Sequence, residues 1–100
     1  MLKITIVDSP TEQRLVLEGR LTEPDLSALN SAWEVARIAL GARKWLVDLR
    51  NVTFIDRSGE RVLLEMKRKG AQFIACGVST THQLEQLGIK CKGNLPRVDR

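Results

Sequence analysis

Six consecutive residues, Asp56-Arg57-Ser58-Gly59-Glu60-Arg61, bring two carboxylates, two guanidinium groups and a hydroxyl together just after an apolar run. Asp56 stands at the C-terminal end of a predicted parallel strand, where α/β folds tend to keep functional groups. Two roles are open to it there, proton transfer or bracing the turn by accepting backbone N–H bonds, and bracing is favoured. A conventional enzyme needs a convergent set of groups, and the candidates fail in turn. There is no glycine-rich phosphate loop, no His-Glu-x-x-His helix, no paired cysteine ligands and no Gly-x-Ser-x-Gly elbow. The sole histidine, His82, falls in the exposed first turn of a predicted helix without a second ligand or a nearby nucleophile. We therefore expect no enzyme, no catalytic residue, no cofactor and no metal.

The same six residues read better as a helix start. The hydroxyl of Ser58 suits an N-cap, because it can accept from an orphaned backbone N–H, and Glu60 suits the positive end of the helix dipole. Arg57 and Arg61 do not suit it: each cation at that end costs a few tenths to about 1 kcal/mol when exposed. Two misfits in one turn call for a neutralising neighbour, such as Asp56 or Glu60, or for an acidic ligand outside the domain. Lys67-Arg68-Lys69 needs no such partner, since three cations in the last turn complement the negative end of the dipole.

The elements that must position this turn lie on either side of it. Leu46, Val47, Leu49, Val52, Phe54 and Ile55 predict a buried strand before it; Val62, Leu63 and Met66 share one face of the helix after it, and Gly70 stops that helix. Upstream, Leu2, Ile4 and Ile6 alternate with Lys3 and Thr5 as a strand with one buried face. Asp8-Ser9-Pro10-Thr11 is turn chemistry, and Leu15–Leu17 continue as a second strand ending at Gly19, which predicts an antiparallel hairpin at the sheet edge. Thr22 with Asp25, and Pro24 in the first turn, opens a helix running to Gly41. Leu26, Leu29, Trp33, Ala36 and Leu40 form its buried stripe, widened by Ala28, Ala32, Val35 and Ala39. Residues 71–77 read as a further strand in which Cys76 packs as a small hydrophobe. Thr80 with Gln83 is a capping box for a short helix closed by Gly88. The remaining tail carries Lys90, Lys92, Arg97 and Arg100 and has no helical pattern.

One hundred residues make a single domain, 1–100, with no internal repeat or linker. Only four aromatics and no tyrosine are present, so the core is mostly aliphatic and a platform for stacking single-stranded bases is not expected. The net charge of +4 bears on solubility and steering only. Two cysteines make no disulfide framework, and the short N-terminal apolar run, broken by Asp8 and Pro10, is neither a signal peptide nor a membrane span. A cytoplasmic domain is expected.

The strand ending in Asp, the Ser-Gly pair, the following helix and the next strand after a Lys/Gly-rich turn resemble the STAS domain of anti-sigma factor antagonists. That resemblance implies an α/β fold with a mixed four- to five-stranded sheet and helices mainly on one face. It also implies a non-catalytic, bacterial protein-interaction module in transcription regulation, whose partner is an anti-sigma factor or kinase-like regulator. In that family the residue after the Asp is the serine that a kinase phosphorylates, and a Gly commonly sits where Arg61 stands. Arg57 carries no hydroxyl, and Arg20 replaces an acidic residue frequent in the Gly-Glu-Leu/Ile-Asp turn. The expected partner-binding residues are Asp56, Arg57, Ser58, Gly59, Arg61 and Arg20, and Ser58 is the one remaining hydroxyl for phosphorylation. Neither nucleic acid nor membrane insertion is expected, and the domain should be a monomer or weak homodimer. The other readings are an anion or small-molecule sensor using Arg57, Arg61 and the helix amides, or a regulatory subunit of an ABC-type transporter ATPase.

Overall fold

A computed structural model describes residues 2–75 and 77–92. In chain order the elements are β1 (Leu2–Asp8), β2 (Glu12–Leu21), α1 (Leu26–Ile38), β3 (Lys44–Ile55), α2 (Arg57–Arg68), β4 (Gln72–Ile74), α3 (Val78–Gln86) and β5 (Cys91–Lys92). They form one mixed sheet in the order β1-β2-β3-β4-β5. The β1–β2 hairpin is antiparallel and lies at the edge, and every later pairing is parallel. Each β-α-β step therefore returns to the neighbouring strand in the same direction, as short crossovers demand.

Side-chain alternation along the strands assigns the two faces. Leu15 and Leu17 of β2, Trp45, Val47 and Leu49 of β3 and Phe73 of β4 enter one core with Leu26, Leu29 and Trp33 of α1, Leu63 and Met66 of α2 and Leu84 of α3. All three helices thus cover the same face. Trp33 is buried as its spacing predicts and stacks on Trp45, with ring centroids 5.7 Å apart. The opposite face buries a carboxylate: Asp48 takes two hydrogen bonds from the Arg50 guanidinium, at 3.0 and 2.7 Å, and lies 3.9 Å from Arg14.

Several boundaries differ from the sequence expectation. The second strand does not stop at Gly19. Gly19 takes φ +107° where the β2–β3 register shifts, and this irregularity lets β2 run on to Leu21. The first helix starts at Leu26 rather than Thr22, because Thr22–Asp25 close a turn of their own through Asp25 N–H to the Thr22 carbonyl. It also ends short of Gly41, and only Ala32 of the widening residues is half-buried; Ala28, Val35 and Ala39 face solvent. Ile6 is 42 % exposed and Phe54 50 % exposed, against the burial expected of both. Thr80 is no cap, since α3 begins two residues earlier behind Gly77. The strand read over residues 71–77 shortens to Gln72–Ile74, followed by a buried Ala75. The packing of Cys76 and the conformation of residues 93–100 lie outside the described residues.

Candidate functional site

The end of β3 meets the start of α2 at Asp56. Its backbone is extended, with φ −89° and ψ −177°, and its Oδ1 accepts the Gly59 N–H at 2.7 Å. Asp56 is therefore the N-cap, which corrects the assignment of that role to Ser58. An N-cap needs extended backbone and a short side chain reaching forward two or three residues. Asp56 meets both conditions, whereas Ser58 already lies within the helix. Ser58 is half-buried, and its hydroxyl makes no hydrogen bond among the described residues.

Three contacts fasten this turn to the sheet. The Asp56 N–H donates to the Leu21 carbonyl at the end of β2, at 3.2 Å. Gly59 rests on that same carbonyl so closely that a Cβ would lie 2.4 Å from the oxygen. From α3, the Gln83 amide donates to the Ile55 carbonyl at 3.0 Å and to Glu60 Oε2 at 2.6 Å. The first turn of α2 is thus held by β2, β3 and α3 together.

Those contacts decide the state of the arginines. Asp56 accepts from the Gly59 N–H and Glu60 from the Gln83 amide, and neither carboxylate forms an ion pair with the cations beside it. Arg57 and Arg61 are exposed on the side of α2 turned away from buried Gly59, Leu63 and Met66, and form no ion pair among the described residues. Two free guanidinium groups one helical turn apart can take carboxylate or phosphate oxygens, bidentately where the geometry allows. Arg20 occupies the same end of the sheet but another surface. It pairs in register with Phe54, and its guanidinium carbon sits 5.4 Å from the centroid of that exposed ring. Asp56 to Arg61 thus form one unit, with Arg20 adjacent through the β2 end rather than within it.

Two participants escaped sequence reading. Gln83 lies 23 residues from Glu60, and its Thr80–Gln83 spacing imitated a capping box. Phe54 looked like core because it sits between Val52 and Ile55, and the register shift between the Gly19–Val52 and Arg20–Phe54 pairs turns it outward although it shares parity with buried Val52. His82 is exposed. Among the described residues no group of three or more His, Cys, Asp or Glu could hold a metal ion, and no helix is long and apolar enough to cross a membrane.

The architecture recurs in solved structures. An anti-sigma factor antagonist from Mycobacterium paratuberculosis superposes with a TM-score of 0.78 at 18% identity, over 88% of this chain and 79% of that one. The anti-sigma factor antagonist SpoIIAA in its unphosphorylated form gives 0.64 at 18% identity, over 90% and 87%. An uncharacterized DUF3478-family protein with a SpoIIAA-like fold from Shewanella loihica PV-4 gives 0.57 at 16% identity, over 91% and 83%. No protein-family model and no curated protein matches the sequence. At these identities the likeness establishes a shared fold, the SpoIIAA-like arrangement of mixed sheet and one-sided helices.

Proposed function

We propose that this domain is a non-catalytic docking module of cytoplasmic bacterial signalling, engaging a regulatory protein through Asp56, Arg57, Ser58, Gly59 and Arg61, with Arg20 at the margin. The observation that carries the reading is the pair of arginines at the positive end of α2, exposed and without an ion pair among the described residues, on a turn fixed from three sides. A surface that keeps two exposed cations where the helix dipole disfavours them, ion-paired to neither nearby carboxylate, gains stability when an acidic surface arrives. The fold's occurrence in anti-sigma factor antagonists supports a protein as the bearer of that acidic surface.

The module binds constitutively under this proposal. A phosphoserine adds about −1.5 to −2 charges at pH 7 and switches affinity by repulsion or new bonds. Arg57, the residue directly after the Asp, cannot accept a phosphoryl group from a serine kinase and presents a fixed positive charge instead. Ser58 is not tied up as a cap, so its modification is decided by measurement: intact-mass analysis of protein from its native host should show no phosphate there, and Ser58→Ala should retain partner binding. A stoichiometric phosphate at Ser58 whose removal changes affinity would restore the switch.

The same two arginines favour one competing reading, an anion or small-molecule sensor. A thermal-shift screen with nucleotides, phosphate and acidic metabolites separates the two, because a ligand of the folded state raises the melting temperature with its concentration. The docking module predicts no specific shift with any of them.

A further inference from the structure

The two edges of the sheet are unequal. β5 offers two residues, whereas β1 offers seven, and beyond β2 no strand among the described residues pairs with it. An unpaired edge presents a row of N–H and C=O groups, and folded proteins blunt such edges with charged side chains, proline, bulges or short length. The stretch Leu2–Asp8 has no proline or bulge, is full-length and regular in register with β2, and keeps its charges, Lys3 and Asp8, toward its ends, leaving Ile4–Val7 β-branched and uncharged. It also leaves an anomaly. Leu2 and Ile4 pack against the core, yet Ile6, next on the same face, is 42 % exposed, and Val7 behind it is 49 % exposed.

We propose that β1 pairs antiparallel with β1 of a second copy, joining two sheets edge to edge about a two-fold axis perpendicular to them. Such an axis keeps each face on its own side, so residues that oppose one another must share parity. The register that uses the whole strand is centred on Thr5, and it is self-complementary. Ile6 of each copy meets Ile4 of the other on the helix-covered face, which covers the side chain the single copy leaves out. Thr5 meets its own counterpart on the opposite face, Lys3 meets Val7, and Leu2 meets Asp8, so no like charges are opposed. Branched aliphatic and Thr–Thr pairs are favourable cross-strand partners. A foreign extended segment could use the same backbone groups, but only a second copy brings this matched Ile4–Ile6 pairing. The contact is small, in the range below about 1,200 Å² where association is weak and reversible.

Cross-linking tests both the pairing and its register. Antiparallel partners directly opposite have Cα atoms about 4.5–5.5 Å apart, within the ~4.4–6.8 Å span of a disulfide. With Cys76 and Cys91 replaced by serine, Thr5→Cys should accumulate a disulfide-linked dimer under mild oxidation. Lys3→Cys, whose counterpart lies four residues of strand away, should give several-fold less. Sedimentation of the otherwise unaltered chain should show a concentration-dependent dimer that Ile6→Lys shifts to monomer with an unchanged circular dichroism spectrum. A chain monomeric up to about 1 mM, the range of the weakest specific contacts, or equal cross-linking at positions 3 and 5, would overturn the proposal. So would a dimer indifferent to Ile6→Lys.

Discussion

Asp56 and Gly59 hold the α2 turn in place by different means, and their replacement should be distinguishable. Asp56→Ala removes the N-cap and should cost about 0.5–2 kcal/mol in denaturant unfolding. Gly59→Ala drives a methyl group against the backbone oxygen of Leu21, which has no rotamer through which to yield, so α2 must shift; about 1–3 kcal/mol is expected. Because Gly59 also sets how α2 sits on β2, its substitution should weaken docking more than its stability loss alone explains. Asp48 supplies a prediction of a third kind. The Arg50 side chain, hydrogen-bonded to it, holds its carboxyl below the ordinary range, outweighing the upward push of burial, with the Arg50 N–H and the charges of Arg50 and Arg14 adding to the effect. A depressed folded-state pKa contributes stability that is complete above the unfolded value near 4 and is lost as pH falls through the lower folded value. Stability should therefore decline from about pH 4 downward, and Asp48→Asn should flatten that decline in acid denaturation curves while lowering stability at neutral pH.

At the scale of elements, what could be read from sequence follows from where a pattern is local. The buried stripe Leu26-Leu29-Trp33-Ala36 and the alternation of Leu15 and Leu17 were legible, because helix and strand periods act within a few residues. Trp33→Ala should lose about 3–5 kcal/mol, since it empties a site stacked on Trp45 beneath the sheet; unchanged denaturant stability would mean that α1 turns another face inward. The start of α1 was not legible, because Thr22–Asp25 carry cap residues whose hydrogen bonds close a separate turn. The N-cap of α2 was misread for a related reason: Asp56 and Ser58 are both good caps, and only the backbone of Asp56, extended where β3 ends, selects between them. The acidic partners of Arg57 and Arg61 were sought among their neighbours in sequence. In the fold Glu60 turns to Gln83 and Asp56 to the Gly59 N–H, so neither forms an ion pair with the arginines.

At the scale of the whole molecule, one-sided helices divide the labour of the sheet. One face holds the aliphatic core, while the C-terminal ends of β2 and β3 meet the start of α2 and present Arg57, Arg61 and, to one side, Arg20 on Phe54. The edge strand β1 lies across the sheet from β4 and β5 and is not part of the α2 turn, so a second copy at that edge leaves the turn accessible. The docking claim is tested most directly by quantitative affinity capture from the native host, comparing wild type with the Arg57→Glu/Arg61→Glu double variant at matched melting temperature. Both residues are exposed, so the reversal should leave the circular dichroism spectrum and melting temperature nearly unchanged. The account predicts a protein partner, with an acidic contact surface, that the wild type retains and the variant loses by about tenfold or more, the scale of a displaced interfacial charge pair. Equal recovery of the same partner by both forms would contradict it and place the contact elsewhere on the domain.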